Sequence, residues 1–280
     1  MAENLPITLL GESDRAEDSC VDSPAIIGLQ LDILGEPIHF RISAAQRQAR
    51  LADIVPAART LSTKLALAVL EKLRKQQKFV PCRKGCSACC NYLIPLSVPE
   101  VFRMREELLA MPANQSKALL KSCLDASRKI LDDRPKSYGT HIPKTTNGTT
   151  QVSQLSSWYA GLQLPCPFLS GRLCTIYQKR PTACREHIVT GSALLCETEG
   201  PDKSQVVPMP VSVLEALAQL AGDLEGTSME AVMLPLALPW AEENLARHHW
   251  TWPTVMMVQR FVEIIKEMAS KNSAATVASA

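Results

Sequence analysis

Leu29, Leu31 and Ile33 alternate with polar or small residues, and after Gly35-Glu36-Pro37 the alternation resumes at Ile38, Phe40 and Ile42. A period of two on both sides of a turn predicts a β-hairpin with one apolar face. Ser43 and Gln46 then stand at capping-box spacing, which predicts a helix start, and Pro56 should break or kink that helix. Beyond it Leu61, Leu65, Val69 and Leu73 fall on one helical face, which ends in the basic run Lys72 to Lys78. Ser97-Val98-Pro99-Glu100 repeats the capping-box spacing ahead of Val101, Phe102, Leu108 and Leu109. Pro112 closes that helix, and Asn114 is placed to cap the next, which carries Leu119, Leu120, Cys123, Leu124, Ile130 and Leu131.

Two stretches lack periodicity. Residues 1–24 are acidic and predict a mobile tail; residues 134–152 are rich in Pro, Gly, Thr and Lys and predict a long loop. Toward the end, helices are predicted around 211–221, 228–247 and 254–269. Thr227 and Glu230 would start the second, and Met257, Val258, Phe261, Ile265 and Met268 line the third. The predicted fold is mainly α: a helical domain with a small N-terminal β-hairpin and a loop-rich, metal-bound cysteine segment. Its predicted units are a flexible acidic tail (1–24), a hairpin plus helix (25–79), a cysteine-cluster metal-binding domain (80–196) and a C-terminal helical extension (197–280).

Composition narrows the classes. Hydrophobic residues make up 46% and charged residues 21% of the 280, the balance of a chain with a packed core. A formal charge of +2 makes no electrostatic case for DNA, RNA or a membrane surface. The start carries Glu3, Glu12, Asp14, Glu17 and Asp18, unlike a secretory signal. The most apolar stretches, 206–221 and 231–240, are too short and too interrupted by proline to span a bilayer. The expectation is a soluble, cytoplasmic protein in which thiols stay reduced. Ten cysteines in that setting favour metal ligands over a disulfide framework.

Seven of those cysteines form two groups. The first is Cys82-x3-Cys86-x2-Cys89-Cys90, spacing that lets one loop present several sulfurs to one centre. Gly85 precedes Cys86 where a tight turn favours a residue tolerant of positive φ, and Arg83 and Lys84 are expected to lower the thiol pKa values. The second runs from Cys166-Pro167-Phe168-Leu169 through Cys174, Ile176-Tyr177 and Arg180-Pro181 to Cys184-Arg185, with Gly171 suggesting a turn. Tyr177, Arg180 and Arg185 are candidates to donate hydrogen bonds around the sulfurs; Cys196 and His187 are candidate extra ligands. Cys123, on an apolar helix face, reads as a small buried hydrophobe, and Cys20 as a bystander in the tail. Adjacent Cys89 and Cys90 are ill-suited to share one tetrahedral ion, and seven or eight thiols exceed one four-ligand zinc site. Two metals, or one cluster with spare thiols, are both open.

These two groups together resemble the CxxxCxxCC cysteine-cluster family of zinc- or iron-chelating proteins, over about residues 80 to 190. The resemblance implies that the two groups meet in space around zinc or an iron–sulfur cluster; it implies no settled reaction. One branch, the flagellin lysine methylases, shares the cluster and transfers methyl groups to lysines. This chain has no glycine-rich nucleotide loop, and both its ends lie outside the resemblance.

Other features point elsewhere. His248-His249-Trp250-x-Trp252 reads as a helix end packed by aromatics, His39 as a hairpin surface residue and His141 as a solvated loop residue. The basic run at 74–78 reads as a solvated helix end. No Ser-His-Asp order, P-loop or dinucleotide fingerprint occurs. The expected function is metal chelation by Cys82, Cys86, Cys89, Cys90, Cys166, Cys174 and Cys184, with thiolates and scarce histidine leaning toward iron–sulfur over zinc. The rival readings are an iron–sulfur enzyme of redox or protein-lysine methyl transfer, and a zinc-stabilised module binding an unidentified protein partner.

Overall fold

The alternation at 29–42 builds two antiparallel strands, β2 (Ala25–Ile33) and β3 (Glu36–Ala44), paired from Ala25 opposite Ala44 to Ile33 opposite Glu36. Leu29, Leu31, Ile33, Phe40 and Ile42 are buried while Gln30, Asp32, His39 and Arg41 face outward, the two-sided pattern of a half-covered sheet. The computed structural model describes residues 5–11, 23–33, 35–134, 141–142, 149–196 and 205–278, with the backbone alone at 141–142, 149–153, 195 and 273–278. Cys20, the side chain of His141 and most of the stretch 134–152 lie outside the described residues. Within the segment expected to be a tail, Ile7–Leu10 forms strand β1, paired with the free edge of β3. Ile7-Thr8-Leu9-Leu10, set between acidic residues, is too short to show a period.

Against this sheet pack α1 (Val55–Lys75), α6 (Val213–Glu225) and α9 (Thr254–Ala278), sharing a core with Ile7, Leu29, Phe40, Leu61, Leu65, Leu217, Phe261 and Ile265. The expected helix start at Ser43 does not form. Ser43 and Ala44 stay in β3, Gln48–Ala49 pairs with Trp252–Pro253, and a 3-10 turn at Leu51–Ile54 leads into α1. Pro56 sits in the first turn of α1, where a missing N–H leaves no hydrogen bond unmade, so it opens the helix instead of kinking it.

A second core joins α2 (Val98–Leu109), α3 (Ala113–Asp133), α4 (Thr149–Gly161) and α7 (Ala237–Glu243) around Phe102, Leu108, Cys123, Ile130, Leu155, Tyr159 and Trp240. The predicted helix over 228–247 is broken up. Ala231–Met233 is instead a strand paired with Pro95–Ser97 and His141–Ile142, followed by a 3-10 turn, α7 and the short α8 (Leu245–His248). Its backbone is committed to sheet pairing, and Glu230 pairs with Arg247 at 3.0 Å instead of capping a helix. Helix α4 was not foreseen in its Ser-, Thr- and Gln-rich sequence; Leu155 and Tyr159, one helical turn apart, are buried. Arg59 of α1 reaches Glu107 of α2 with Nη1 at 2.8 and 2.9 Å from the two carboxylate oxygens, a buried pair joining the two cores. The architecture is mainly α, and no helix among the described residues is long and apolar enough to cross a membrane.

Candidate metal centre

Between α1 and α2 the chain has almost no regular structure, and turns place the first cysteines. Gly85 adopts φ +91°, the left-handed conformation expected there, and Cys86 N–H donates to Arg83 O at 3.0 Å. A 3-10 turn at Ala88–Asn91 carries both Cys89 and Cys90, closed by Cys90 N–H to Ser87 O at 2.9 Å. In the second group, Leu169–Ser170 pairs with Leu173–Cys174 around Gly171 at φ +59°, which brings Cys174 back toward Cys166. The five-residue helix α5 (Thr182–Glu186) then holds Cys184.

Four polar contacts bring the groups together. Cys166 N–H donates to Cys90 O at 2.8 Å, joining them directly. Fully buried Glu100, whose Oε2 accepts from Ser97 N and Oγ at the start of α2 as the capping-box spacing predicts, accepts through Oε1 from Thr182 N at 2.7 Å and Oγ1 at 2.9 Å. One carboxylate therefore caps two helix starts, one following the first group and one carrying Cys184. Farther on, Gly191 N–H donates to Phe79 O at 3.0 Å, and the Tyr92 hydroxyl donates to Cys196 O. The double role of Glu100 was not legible in sequence, where only its own capping box could be seen.

Cys86, Cys89, Cys90, Cys166, Cys174 and Cys184 line one cavity of about 640 Å³, together with Arg83, Arg180, His187 and an apolar wall that includes Tyr92, Phe168 and Ile176. Cys82 does not line it; it packs with Cys86 against Ala88, Val189 and Cys196. All nine described cysteines are free. Among the described residues, no three His, Cys, Asp or Glu side chains are close enough as placed to share one ion. The fold supplies proximity, and side-chain rotation would have to supply the last step of any coordination.

Electrostatics correct one expectation. Neither Arg83 nor Lys84 figures in the shift of Cys82 or Cys89, and burial is the main cause at four thiols. It raises Cys82 and Cys174, pushes Cys166 up to about 12 and, with repulsion from Cys166, Cys89 and Cys174, raises Cys184 far above the ordinary thiol value. Cys89 is raised most by the thiol of its neighbour Cys90 and then by burial. Backbone hydrogen bonds and then Arg180 oppose the rise at Cys89 and Cys174, and Arg180 alone opposes it at Cys184. Its guanidinium lies 4.4 Å from the Tyr177 ring centroid, and its Nε is buried with no hydrogen-bond partner.

The remaining candidates separate. His187 lines the cavity edge-on to Tyr92, and burial lowers its pKa, favouring the neutral ring that ligates metals. Arg185 turns away: its Nε donates to Arg180 O, and its two terminal nitrogens donate to Gln178 O and Thr63 Oγ1, so it staples the α5 loop to α1. Cys123 is buried among apolar residues, its thiol raised to about 12 by burial alone. His248 is buried beneath the second core, with Nε2 at 2.8 Å from Glu106 and its ring 5.2 Å from Phe102.

A metal suits this donor set chemically. Buried thiols that stay protonated by themselves would ionise on meeting a cation, and the unpaired N–H of Arg180 would face the negative charge that several thiolates leave on a centre. Residues 81–205 match the model of the CxxCxxCC family, described as a "Putative zinc- or iron-chelating domain". No curated protein and no solved structure matches the chain.

Proposed function

Taking residues 81–205 as a zinc- or iron-chelating domain, we propose that Cys82, Cys86, Cys89, Cys90, Cys166, Cys174 and Cys184 are its ligands, with Cys196 and His187 as further donors. The favoured cofactor is iron–sulfur, with zinc the alternative. One observation carries this reading: six of the seven thiols line a single cavity, and its two halves are joined by the hydrogen bond from Cys166 to Cys90. Thiol richness against one nearby histidine favours iron–sulfur, since these clusters are held mainly by cysteine thiolates. Zinc bound there would lock the fold, and a cluster would add redox capacity. Arg180 would donate to a sulfur through its free Nε, and Glu100 would hold Cys184 in register through α5. A cytoplasmic location, where thiols remain reduced, belongs to the same proposal.

Anaerobic purification with elemental analysis, acid-labile sulfide assay and visible spectroscopy tests it. A brown protein with iron and sulfide is the expected result. A colourless zinc protein would shift the reading to a zinc-stabilised interaction module, and a metal-free protein would overturn chelation.

The cavity favours a second reading. Its volume of about 640 Å³ falls in the range of roughly 300–1,000 Å³ typical of small-molecule sites, more than a metal ion needs. An iron–sulfur enzyme, of redox or protein-lysine methyl transfer, would hold its substrate against the apolar wall beside the cysteines. Turnover lost in a Cys184→Ser variant would support it.

A further inference from the structure

The three most exposed large hydrophobics among the described residues, Leu194 at 68%, Phe79 at 64% and Val206 at 60%, all border the cysteine segment, and Leu173 at 53% joins them. Single exposed leucines are ordinary, but a concentration of apolar side chains marks an interaction surface. The fold gathers these four. Val206 lines the cavity with Arg83 and Gly85, and its strand pairs with Val189–Thr190. Phe79 is tied through its carbonyl to Gly191, and Leu194 rides the following 3-10 turn, which Tyr92 holds through the Cys196 carbonyl. Leu173 stands on the far side, where a Cβ added at Gly85 would meet its Cδ2 at 4.0 Å.

Charge follows the same rim. The approach of Leu173 to Gly85 sets two tight turns side by side, Arg83-Lys84-Gly85 and Gly171-Arg172-Leu173, so three exposed cations share one edge of the cavity. Elsewhere arginines are neutralised: Arg59, Arg105, Arg247 and Arg260 all pair with carboxylates. Arg83, Lys84 and Arg172 have no such partner among the described residues. Glu186, the one carboxylate among the described lining residues, is already engaged by Ser62, Ser212 and Val213. Nor does thiol ionisation at Cys82 or Cys89 call on Arg83 or Lys84.

From this complementarity we propose that the rim is a docking surface for an acidic protein segment, whose carboxylates meet Arg83, Lys84 and Arg172 while its apolar side chains cover Phe79, Leu194 and Val206. An apolar centre with a charged rim is the anatomy of a protein interface, and cations left without a carboxylate steer an acidic partner onto it. RNA fits less well. Its single strands are recognised by stacking on aromatic or arginine planes, whereas three of the four exposed apolar side chains are aliphatic. The cavity opens within the footprint, so a docked partner stands directly over the cysteines.

Fluorescence anisotropy of the full chain with a labelled peptide alternating Glu and Leu tests this. The controls are the same peptide with Lys for Glu, one with Gly for Leu, and an oligouridine RNA. The Glu-Leu peptide should bind best, weaken as salt rises, and slow hydrogen exchange at 78–86 and 171–174. Lys84→Glu combined with Arg172→Glu should weaken it by roughly tenfold or more, and Leu194→Asn should weaken it several-fold. All three positions are exposed, so circular dichroism and metal content should stay at wild-type values. No binding of the Glu-Leu peptide, equal binding of either control peptide, preference for the RNA, or unchanged affinity in the charge-reversed variant would each overturn the docking surface. A metal-free chain that binds the Glu-Leu peptide in the expected pattern would sink chelation alone and support the surface.

Discussion

The sheet with α1, α6 and α9 and the segment from Phe79 to Cys196 sit side by side in one fold but are held together differently. In the first, long elements bury Leu29, Phe40, Leu61, Leu65, Phe261 and Ile265 completely or nearly so, and apolar burial at about 25 cal/mol per Å² is enough to fix the packing. In the second, the cysteines ride on 3-10 turns, two-residue strands and a five-residue helix. Helices α2, α3 and α4 within it bury Phe102, Leu108, Ile130, Leu155 and Tyr159, but around the cysteines themselves carboxylates, carbonyls and a guanidinium make the links. The comparison teaches that burial fixes the long elements of this molecule, while the cysteine turns are assembled from point contacts that a metal would complete.

Removing metal should separate the two regions most. Structural zinc contributes on the order of 10 kcal/mol or more, comparable to the whole stability of a domain. Chelator treatment of the anaerobically purified protein should therefore abolish hydrogen-exchange protection in the cysteine turns at 80–97 and 162–196 while the sheet and α9 stay protected. Uniform loss of protection would show that the regions are not energetically distinct. Cys86→Ser should likewise lower metal content; unchanged stoichiometry would count against that ligand.

Leu65→Ala tests the other side. Leu65 is 0% exposed in the first core, and such truncations cost about 2–5 kcal/mol. Urea denaturation should register that loss with metal content unchanged. Glu100→Ala should cost less, roughly 2 kcal/mol for two lost caps at about 1 kcal/mol each, yet it should reduce metal content because α5 carries Cys184. Equal metal content in both variants would erase the distinction between burial and point contacts.

A pH effect should follow from Glu186, whose carboxylate accepts from Ser62 Oγ, Ser212 Oγ and Val213 N at the start of α6. Burial raises its pKa from 4.5 to about 7. The folded state then binds this proton more tightly than the unfolded chain, so stability is fully present below about 4.5 and falls as pH rises to about 7. At about 1.4 kcal/mol per unit the loss is bounded near 3 kcal/mol, and solvent reaching this half-buried side chain reduces it. Glu186→Gln should flatten the difference in urea midpoint between pH 5 and pH 8; a parallel wild-type and variant dependence would refute this. Arg74→Ala, on the fully exposed pair with Glu71, should leave both stability and metal content unmoved.

Local chemistry was legible in the sequence wherever a short-range rule governs it. Alternation at 29–42 defined the hairpin, Ser97 and Glu100 marked the start of α2, and the spacing with Gly85 and Gly171 marked the cysteine turns. Tertiary structure decided what depends on distant partners. Ala231–Met233 became a strand because Pro95–Ser97 was available to pair with it, and Pro56 opened a helix because the preceding residues were taken by β3 and a 3-10 turn. Thiol ionisation followed burial and Arg180, a cation 96 positions beyond Lys84 on the chain's other cysteine segment, where sequence neighbours had predicted the opposite sign. Hydrogen-bond caps and φ preferences act over a few residues and are written locally; desolvation and long-range pairing exist only once the chain has folded back on itself.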